Sequence, residues 1–197
     1  MAQDRLEEYR DRRSSTSPEP AGSSGPAGAG HEPVFVVQRH DASSLHFDLR
    51  LEIEGVLVSW AVPKGPSVDP SDKRLARRTE DHPLDYAGFE GRIEEGYGAG
   101  TVVVWDTGTY ENLTERDGEP QEAQDALDAG HLKVRLHGEK MSGAFALTHT
   151  RMGGDDAAWM LVKVDDEGAD RRRRPTSTQN ESVLSGRTNE DLARDPS

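Results

Sequence analysis

The segment RHDASSLHFDLRLEIEG, residues 39–55, decides the fold of this chain. From residue 45 it alternates with a period of two, the side-chain period of a β-strand. One face is apolar and carries Leu45, Phe47, Leu49, Leu51 and Ile53. The other face is polar and carries His46, Asp48, Arg50 and Glu52. Glu54-Gly55 predicts a turn before the second strand VLVSWAV (56–62), so the segment predicts a β-hairpin. We expect the apolar face in a core, and the polar face either in solvent or along a concave site.

The composition limits the size of the core and the cellular compartment. The chain has 197 residues, of which 32% are hydrophobic, enough for one domain plus tails. The absence of cysteine excludes disulfides and thiolate chemistry and fits a reducing cytoplasm. No apolar run approaches the roughly 18 residues of a membrane span, and the first 13 residues lack the apolar segment of a secretory signal. We therefore expect a soluble cytoplasmic protein with no membrane partner.

The net charge of −13 argues against an extended basic surface for nucleic acid. Acidic side chains concentrate in residues 111–130, whereas KRLARR at 73–78 is locally basic. The charge predicts weak nonspecific DNA binding at physiological salt and still allows a small basic groove.

The pattern divides the chain into three parts. Residues 1–32 are expected to be an N-terminal segment followed by a flexible linker rich in Ser, Pro, Gly and Ala. Residues 33–165 form the core, and residues 166–197 are expected to be a disordered polar tail. Within the core, EPQEAQDALDAG (119–130) predicts a helix that ends at Gly130. Segments rich in β-branched and aromatic residues predict strands at 35–38, 45–53, 56–62, 101–111, 131–138, 143–150 and 159–164. This order favours a mainly β antiparallel barrel or sandwich with one or two short helices.

The histidines and acids of the core are candidate metal ligands. Two histidines and one carboxylate are a common ligand set for Mn²⁺, Fe²⁺ or Zn²⁺. His40, Asp48 and His82 could supply it, and His46 belongs to the same hairpin, so spacing alone does not decide which histidines bind. For each histidine taken alone, a surface or hydrogen-bonded role is the commoner alternative.

Phosphate chemistry would require cations near those ligands. Arg50 shares a strand face with His46 and Asp48, and its guanidinium could make a bidentate contact with phosphate oxygens. Lys64 lies beside Gly65 in a predicted turn, and Arg74 lies in the basic stretch. Each of these three could instead be a solvated charge. The Gly-rich run EEGYGAGTVVV (94–104) lacks the Lys-Ser/Thr of a phosphate-binding P-loop and leads into a strand, so we interpret it as a tight strand entry.

Three long segments together resemble the 3′-phosphoesterase domain of bacterial DNA ligase D. They are residues 36–70, which contain HDASSLHFDLRLE and WAVPKGPS, residues 73–93, which contain EDHPLDY, and residues 96–111, which begin GYGAG. The resemblance covers about residues 33–165. It implies a compact antiparallel β-barrel of about eight strands with a Mn²⁺-dependent site, for which Co²⁺ and Zn²⁺ are further candidate ions. It also implies removal of a 3′-terminal ribonucleoside and then of a 3′-phosphate, which leaves a 3′-OH for repair by non-homologous end joining.

The resemblance also assigns roles to residues. It implies that His40, Asp48 and His82 hold the metal and that His46 and Arg50 contact the phosphate. Lys64, Arg74 and Tyr86 match further active-site positions of the family. The implied substrates are DNA primer-template 3′ ends, including ends with a 3′ ribonucleotide. The implied partners are an end-joining ligase or polymerase on separate chains, and a monomer is expected.

The N-terminal segment departs from the family pattern. Family members carry YRxKRDFxxTxEP there, and this chain has YRDRRSSTSPEP at 9–20, which is one residue shorter. Arg12 or Arg13 and Glu19 remain as candidates for ribonucleoside removal, but Arg13 or Ser14 stands where Asp is expected. The sequence therefore supports phosphate removal better than ribonucleoside removal.

Two other classes of function compete with this interpretation. His46 and Asp48 form an HxD pair, which His137 or His149 could complete as the facial triad of a non-haem Fe(II) oxygenase on a β-barrel. Alternatively, the domain is a non-catalytic module that binds DNA ends and presents its acidic helical region to a partner. Separate substitution of His82 and His137 distinguishes the phosphoesterase from the oxygenase.

Overall fold

The computed structural model describes residues 4–22 and 30–195. Four helices occur within them: α1 (Glu7–Arg12), α2 (Ala123–Ala129), α3 (Pro175–Thr178) and α4 (Asn189–Arg194). The strands of the first half are β1 (Val34–Asp41), β2 (Leu45–Ile53), β3 (Val56–Val62), β4 (Lys73–His82), β5 (Gly91–Ile93) and β6 (Gly100–Asn112). The strands of the second half are β7 (Glu115–Arg116), β8 (Glu119–Pro120), β9 (His131–His137), β10 (Ser142–His149) and β11 (Ala158–Lys163). Short 3₁₀ turns cover Leu84–Gly88 and Met152–Gly154.

The main sheet closes into an antiparallel barrel. Its strand order is β1-β2-β3-β4-β11-β10-β9-β6-β5, and β1 also pairs with β6. The strand β6 is 13 residues long, which lets it pair with β1 along one edge and with β5 and then β9 along the other. Eight strands of the described chain therefore form a closed ring, with β5 paired to the outside of it through β6, and the predicted fold class is confirmed.

The hairpin of β2 and β3 forms as its sequence predicts. Ile53 lies opposite Val56, so the loop has two residues. Both have positive φ, 49° at Glu54 and 80° at Gly55, as a type I′ turn requires. The apolar face of β2 is buried from Phe47 onward, whereas Leu45 at its start is 41% exposed.

The apolar core is split between the inside of the barrel and a smaller layer on its outer surface. Trp60, Trp105 and Phe145 are among the side chains that fill the inside. The second cluster consists of Tyr9, Leu57, Tyr86, Phe89, Ile93 and Val102. The turn at 84–88 and α1 thus cover part of the outer barrel wall, and the polar face of β2 is enclosed beneath that cover.

The strand β4 was not predicted, because KRLARRTEDH has too few apolar residues to show a strand pattern. It nevertheless pairs with β3 on one side and β11 on the other. Neighbouring strands supply its backbone hydrogen bonds, so tertiary context overrides its low β-propensity.

The helix predicted over 119–130 is α2 (Ala123–Ala129), so its end is confirmed, but residues 119–120 form β8 instead. Gly130 has φ 83° and its N–H bonds back to carbonyls of the last turn, a left-handed C-terminal cap. In the expected linker, Glu19 and Pro20 are held against the turn at 84–88 and α1, because the Tyr86 hydroxyl donates to Glu19 Oε1 and the Tyr9 hydroxyl donates to the carbonyl of Pro20. Residues 23–29 of the expected linker lie outside the described residues.

The expected disordered tail is corrected for residues 166–195, which pack against the barrel. Trp105 Nε1 donates to the carbonyl of Gln179 over 2.5 Å, and Asn189 is 1% exposed. Polar side chains make most of these contacts, which is why hydropathy does not indicate them. Within the part of the chain that the structure describes, no helix is long and apolar enough to cross a bilayer.

Candidate metal and phosphate site

A cavity of about 490 Å³ opens over the polar face of β2. The strands β1, β2 and β4 form its floor, and α1, the turn at 84–88 and the Gly-rich loop before β6 form its walls. The charged and aromatic side chains that line it are Tyr9, Arg12, Arg13, Glu19, His40, His46, Asp48, Arg50, Glu80, His82, Tyr86 and Tyr97. The polar face of the opening hairpin therefore borders a concave site.

The register of β1 and β2 assembles a cluster of three metal-ligand types. His40 lies directly opposite His46, and Asp48 follows His46 by two residues on the same face. His40 Nδ1 lies 3.5 Å from Asp48 Oδ2, and His46 Nε2 lies 3.4 Å from Asp48 Oδ1. One ligand atom from each of the three lies within 4.8 Å of the others. Two imidazoles and a carboxylate at this spacing fit a divalent transition metal.

Backbone carbonyls fix the orientation of both imidazole rings. The carbonyl of Gly98 accepts from His40 Nε2 over 2.7 Å, and that of Ser44 accepts from His46 Nδ1 over 3.2 Å. A ring nitrogen that donates to a carbonyl leaves the other nitrogen of a neutral imidazole unprotonated. In each ring that other nitrogen faces Asp48, so both histidines present a lone pair to one point.

The carboxyl of the candidate ligand Asp48 is held in its ionised form. Burial alone would raise its pKa, but the rings of His40 and His46 and the charge of Arg50 hold the pKa of Asp48 well below its ordinary value. Burial alone would lower the pKa of His46, and the adjacent Asp48 raises it above its ordinary value instead. The negative charge of Asp48 thus favours a positive charge between these three side chains.

Arg50 is fixed beside this cluster. Its Nε donates to Gln38 Oε1 and its Nη1 donates to Ser59 Oγ, each over 2.8 Å, and Nη2 lies 3.6 Å from Asp48 Oδ2. Its guanidinium also lies 4.8 Å from the centre of the Tyr86 ring. Only 4% of the side chain is exposed, so a permanent positive charge is held at the cavity floor, where it suits an anion such as phosphate.

His82 lines the cavity but does not belong to the three-ligand cluster. Its Nδ1 lies 2.9 Å from the carbonyl of Glu80, and its ring packs against Tyr86 and Tyr9 at 4.7 and 5.0 Å. Burial, followed by the charge of Arg50, lowers the pKa of His82 well below its ordinary value. The structure therefore groups His40 and Asp48 with His46, whereas the expected set of His40, Asp48 and His82 stays a prediction, and His82 forms part of the cavity wall.

The N-terminal candidates reach the same cavity. Arg12 Nη1 lies 3.2 Å from Glu80 Oε2, and Tyr86 donates its hydroxyl to Glu19 Oε1 over 2.8 Å. Burial raises the pKa of Tyr86 well above its ordinary value, which keeps the phenol protonated. Arg13 also lines the cavity. All three candidates for ribonucleoside removal are therefore brought to the site.

Several other predicted residues are placed elsewhere. Lys64 is exposed and Arg74 Nη2 lies 3.4 Å from Asp72, and neither is among the described residues that line the cavity. His137 Nε2 lies 2.9 Å from Glu111, and the ring of His149 stacks on Trp159. Because neither histidine lines the cavity, the triad of an oxygenase is not assembled.

Sequence reasoning missed four groups that build the site. Gln38 and Ser59 hold Arg50, Glu80 holds Arg12, and Tyr97 lies at the rim. Gln38 and Ser59 are polar residues within otherwise apolar strands, a pattern that could have indicated a buried network. Burial raises the pKa of Glu80 despite the neighbouring Arg12, and nothing in its local sequence distinguishes it from other acids of β4.

Fold and cluster together define a β-barrel protein with a candidate divalent-metal site beside a fixed arginine. A family model described as the DNA ligase D 3′-phosphoesterase domain matches residues 38–149, more than half of the chain. The chain belongs to this family. The resemblance inferred from the sequence is confirmed.

Curated relatives agree with the family assignment. The chain is 46% identical over 188 residues to the multifunctional non-homologous end joining protein LigD of Pseudomonas aeruginosa, an alignment that covers 91% of this chain and 22% of the relative. It is 47% identical over 167 residues to LigD of Mycolicibacterium smegmatis, covering 83% and 21%. It is 46% identical over 149 residues to LigD of Mycobacterium tuberculosis, covering 75% and 18%. The chain thus spans about a fifth of the length of these relatives.

Proposed function

We propose that this protein is a divalent-metal-dependent phosphoesterase that removes a 3′-phosphate from DNA ends and leaves a 3′-OH. The observation that carries the proposal is the cluster of His40, His46 and Asp48 beside the buried guanidinium of Arg50. A metal-ligand set next to a fixed cation suits a phosphate group better than a neutral substrate.

The residues of the cavity divide the chemistry among them. When bound to His40, His46 and Asp48, an ion such as Mn²⁺ would supply Lewis-acid polarisation of a phosphate oxygen. Arg50 binds the remaining phosphate charge and stabilises it as it grows. Hydrolysis joins a water oxygen to phosphorus, breaks the bond to O3′ and transfers a proton to O3′. Neutral His82, whose Nδ1 donates to the carbonyl of Glu80, can accept the proton of the water at Nε2. The hydroxyl of Tyr86 donates to Glu19 and orients that carboxylate in the cavity.

The relatives support a proposed biological setting. These relatives are named as non-homologous end joining proteins, and this chain corresponds to about a fifth of their length. We infer that it processes primer-template 3′ ends for an end-joining ligase or polymerase carried on separate chains. We further infer that it acts as a monomer in the cytoplasm.

Removal of a 3′-terminal ribonucleoside is a second candidate activity. Arg12, Arg13 and Glu19 all line the cavity, and Glu19 is hydrogen-bonded to Tyr86. These contacts support a role for the N-terminal segment in binding the terminal sugar. The altered sequence around Ser14 makes this activity the weaker expectation.

The first experiment incubates the protein with a labelled primer-template that ends in a 3′-phosphate, with Mn²⁺ or with EDTA. Conversion to a 3′-OH should require the metal and should fall at least about a thousandfold in Asp48→Ala, which removes a metal ligand. His137→Ala is the matched control, since that exposed histidine lies outside the cavity. A folded protein that binds Mn²⁺ and converts nothing would favour the DNA-end binding module.

Direct measurement of Mn²⁺ binding separates the two candidate ligand sets. Calorimetric titration should show weakened binding in His46→Ala and near-normal binding in His82→Ala, although both variants lose turnover. Loss of Mn²⁺ binding in His82→Ala with normal binding in His46→Ala would restore the set implied by the family resemblance. A ribonucleotide-ended primer then tests the second activity in the same assay.

A further inference from the structure

An exposed aromatic ring stands at the rim of the cavity. Tyr97 is 58% exposed, yet it lines the same cavity as His40 and Arg50. It lies between Gly96 and Gly98, whose φ values are 89° and 80°, so the ring projects from a tight loop rather than from a packed strand. Packing therefore does not explain an aromatic side chain at this position.

Two contacts to one side chain fix the ring of Tyr97 in place. Arg12 Nη1 donates to the Tyr97 hydroxyl over 2.9 Å, and the guanidinium carbon lies 4.8 Å from the ring centre. Arg12 itself is held by Glu80 at 3.2 Å and by Glu8 at 2.6 Å. The ring is thus oriented on one side while more than half of the side chain stays open to solvent.

The loop that carries the ring also orients a candidate metal ligand. The carbonyl of Gly98, the residue after Tyr97, accepts from His40 Nε2 over 2.7 Å. A phosphate bound at the cluster of His40, His46 and Asp48 is attached to the 3′-terminal nucleoside. That nucleoside must extend from the cluster toward the cavity mouth, where Tyr97 lies.

We propose that Tyr97 is a stacking platform for the nucleobase of the 3′-terminal nucleotide. This subsite rests on the proposed function, since a phosphate at the cluster is what brings the base to the ring. Stacking accepts every base because each base has a π face. An enzyme that processes DNA ends needs this tolerance, since any base can stand at the end. It also supplies affinity without positive charge, which suits a chain with a net charge of −13.

The test compares Tyr97→Leu and Tyr97→Phe on two primer-templates that both end in a 3′-phosphate. One carries a normal terminal nucleotide and the other carries a stable abasic residue in its place. Tyr97→Leu should raise KM for the normal end about 5- to 100-fold with little change in kcat, the range expected for loss of one stacked base. On the abasic end, wild type and Tyr97→Leu should have equal KM. Tyr97→Phe keeps the ring and should restore the affinity.

Controls separate a platform from a merely structural tyrosine. Leu75→Ala removes another exposed apolar side chain, on β4, and should change neither KM. If Tyr97→Leu raises KM equally on both ends, or on neither, the platform is disproved. Fluorescence anisotropy of DNA binding distinguishes this failure from failure of the proposed function. A wild type that prefers normal over abasic ends through Tyr97 but hydrolyses neither would overturn the phosphoesterase and leave the platform standing.

Discussion

Arg50 combines two requirements that usually conflict at a single residue. Its charge is buried, which is costly for a cation. Its guanidinium must nevertheless keep enough positive charge to attract an anion. Neutral acceptors resolve the conflict, since Gln38 and Ser59 take two of its donors without cancelling the charge. The contact to Asp48 is longer, at 3.6 Å. Polar groups thus orient Arg50, and its positive charge remains available to the cavity that it lines.

Arg50→Lys tests whether this fork binds phosphate. Lysine keeps the charge but cannot form the same set of directed hydrogen bonds as the planar guanidinium. The kcat/KM for 3′-phosphate removal should therefore fall about 100-fold. Mn²⁺ binding should persist, because Arg50 is not a ligand. Arg78→Lys is the matched control, since Arg78 also lies over an aromatic ring, that of Trp60 at 5.6 Å, and does not line the cavity. Parallel loss of Mn²⁺ affinity would show instead that Arg50 acts by holding Asp48.

Individual residues show where prediction of the site from sequence succeeds and where it stops. The period of two places His46, Asp48 and Arg50 on one face, and the structure confirms that they share one cavity. The third candidate ligand depends on the register that sets His40 opposite His46, which no local spacing reveals. Lys64 and Arg74 illustrate the converse, since residues in family segments can still lie outside the cavity of this structure.

At the scale of elements, β4 shows why the strand count could not be completed from pattern alone. Its buried positions include Glu80 and His82, which belong to the site rather than to an apolar core. A strand that builds a polar cavity loses the alternation by which strands are found. The hairpin of β2 and β3 was predictable because its other face fills the barrel and its turn residues adopt positive φ.

The junction after β11 depends on a buried ion pair that is testable by pH. Lys163 has no exposed side-chain surface and donates to Asp166 and to the carbonyls of Ala144 and Val164. Asp166→Asn leaves that ammonium without its counter-charge, so the free energy of unfolding at pH 7 should fall by about 2–4 kcal/mol. Urea unfolding measures the change. Asp165→Asn, at a 75% exposed neighbour, should be nearly neutral.

The sign of the pH dependence follows from the shifted carboxyl. Burial would raise the pKa of Asp166, but the hydrogen bond from Lys163 dominates and lowers it below its ordinary value. The pair therefore stabilises the fold fully above the unfolded-state pKa and loses that contribution as the pH falls through the folded value. The difference between wild type and Asp166→Asn should be constant from about pH 5 to 7 and should shrink below about pH 4. A difference that grows on acidification would contradict the assignment.

At the scale of the whole molecule, residues 166–195 are part of the fold, although their composition is that of a polar tail. Asn189 Nδ2 donates to the carbonyls of Arg39 and Thr101, and Arg39 Nη1 donates to Asn189 Oδ1 over 2.6 Å. Lys140 donates to the carbonyl of Glu181 on the same segment. Composition predicts disorder here because it counts apolar residues, whereas this segment is held mainly by polar groups that satisfy buried partners.

Asn189→Ala tests whether this polar attachment stabilises the barrel. The substitution leaves buried groups of Arg39 and Thr101 without partners, which should lower the free energy of unfolding by about 2–3 kcal/mol. Leu184→Ala, at a 57% exposed position of the same segment, should change it by less than about 0.5 kcal/mol. Phosphate removal at low temperature should survive in both variants, because Asn189 does not line the cavity. Equal stability of Asn189→Ala and wild type in thermal and urea unfolding would mean that the segment is not attached through this residue.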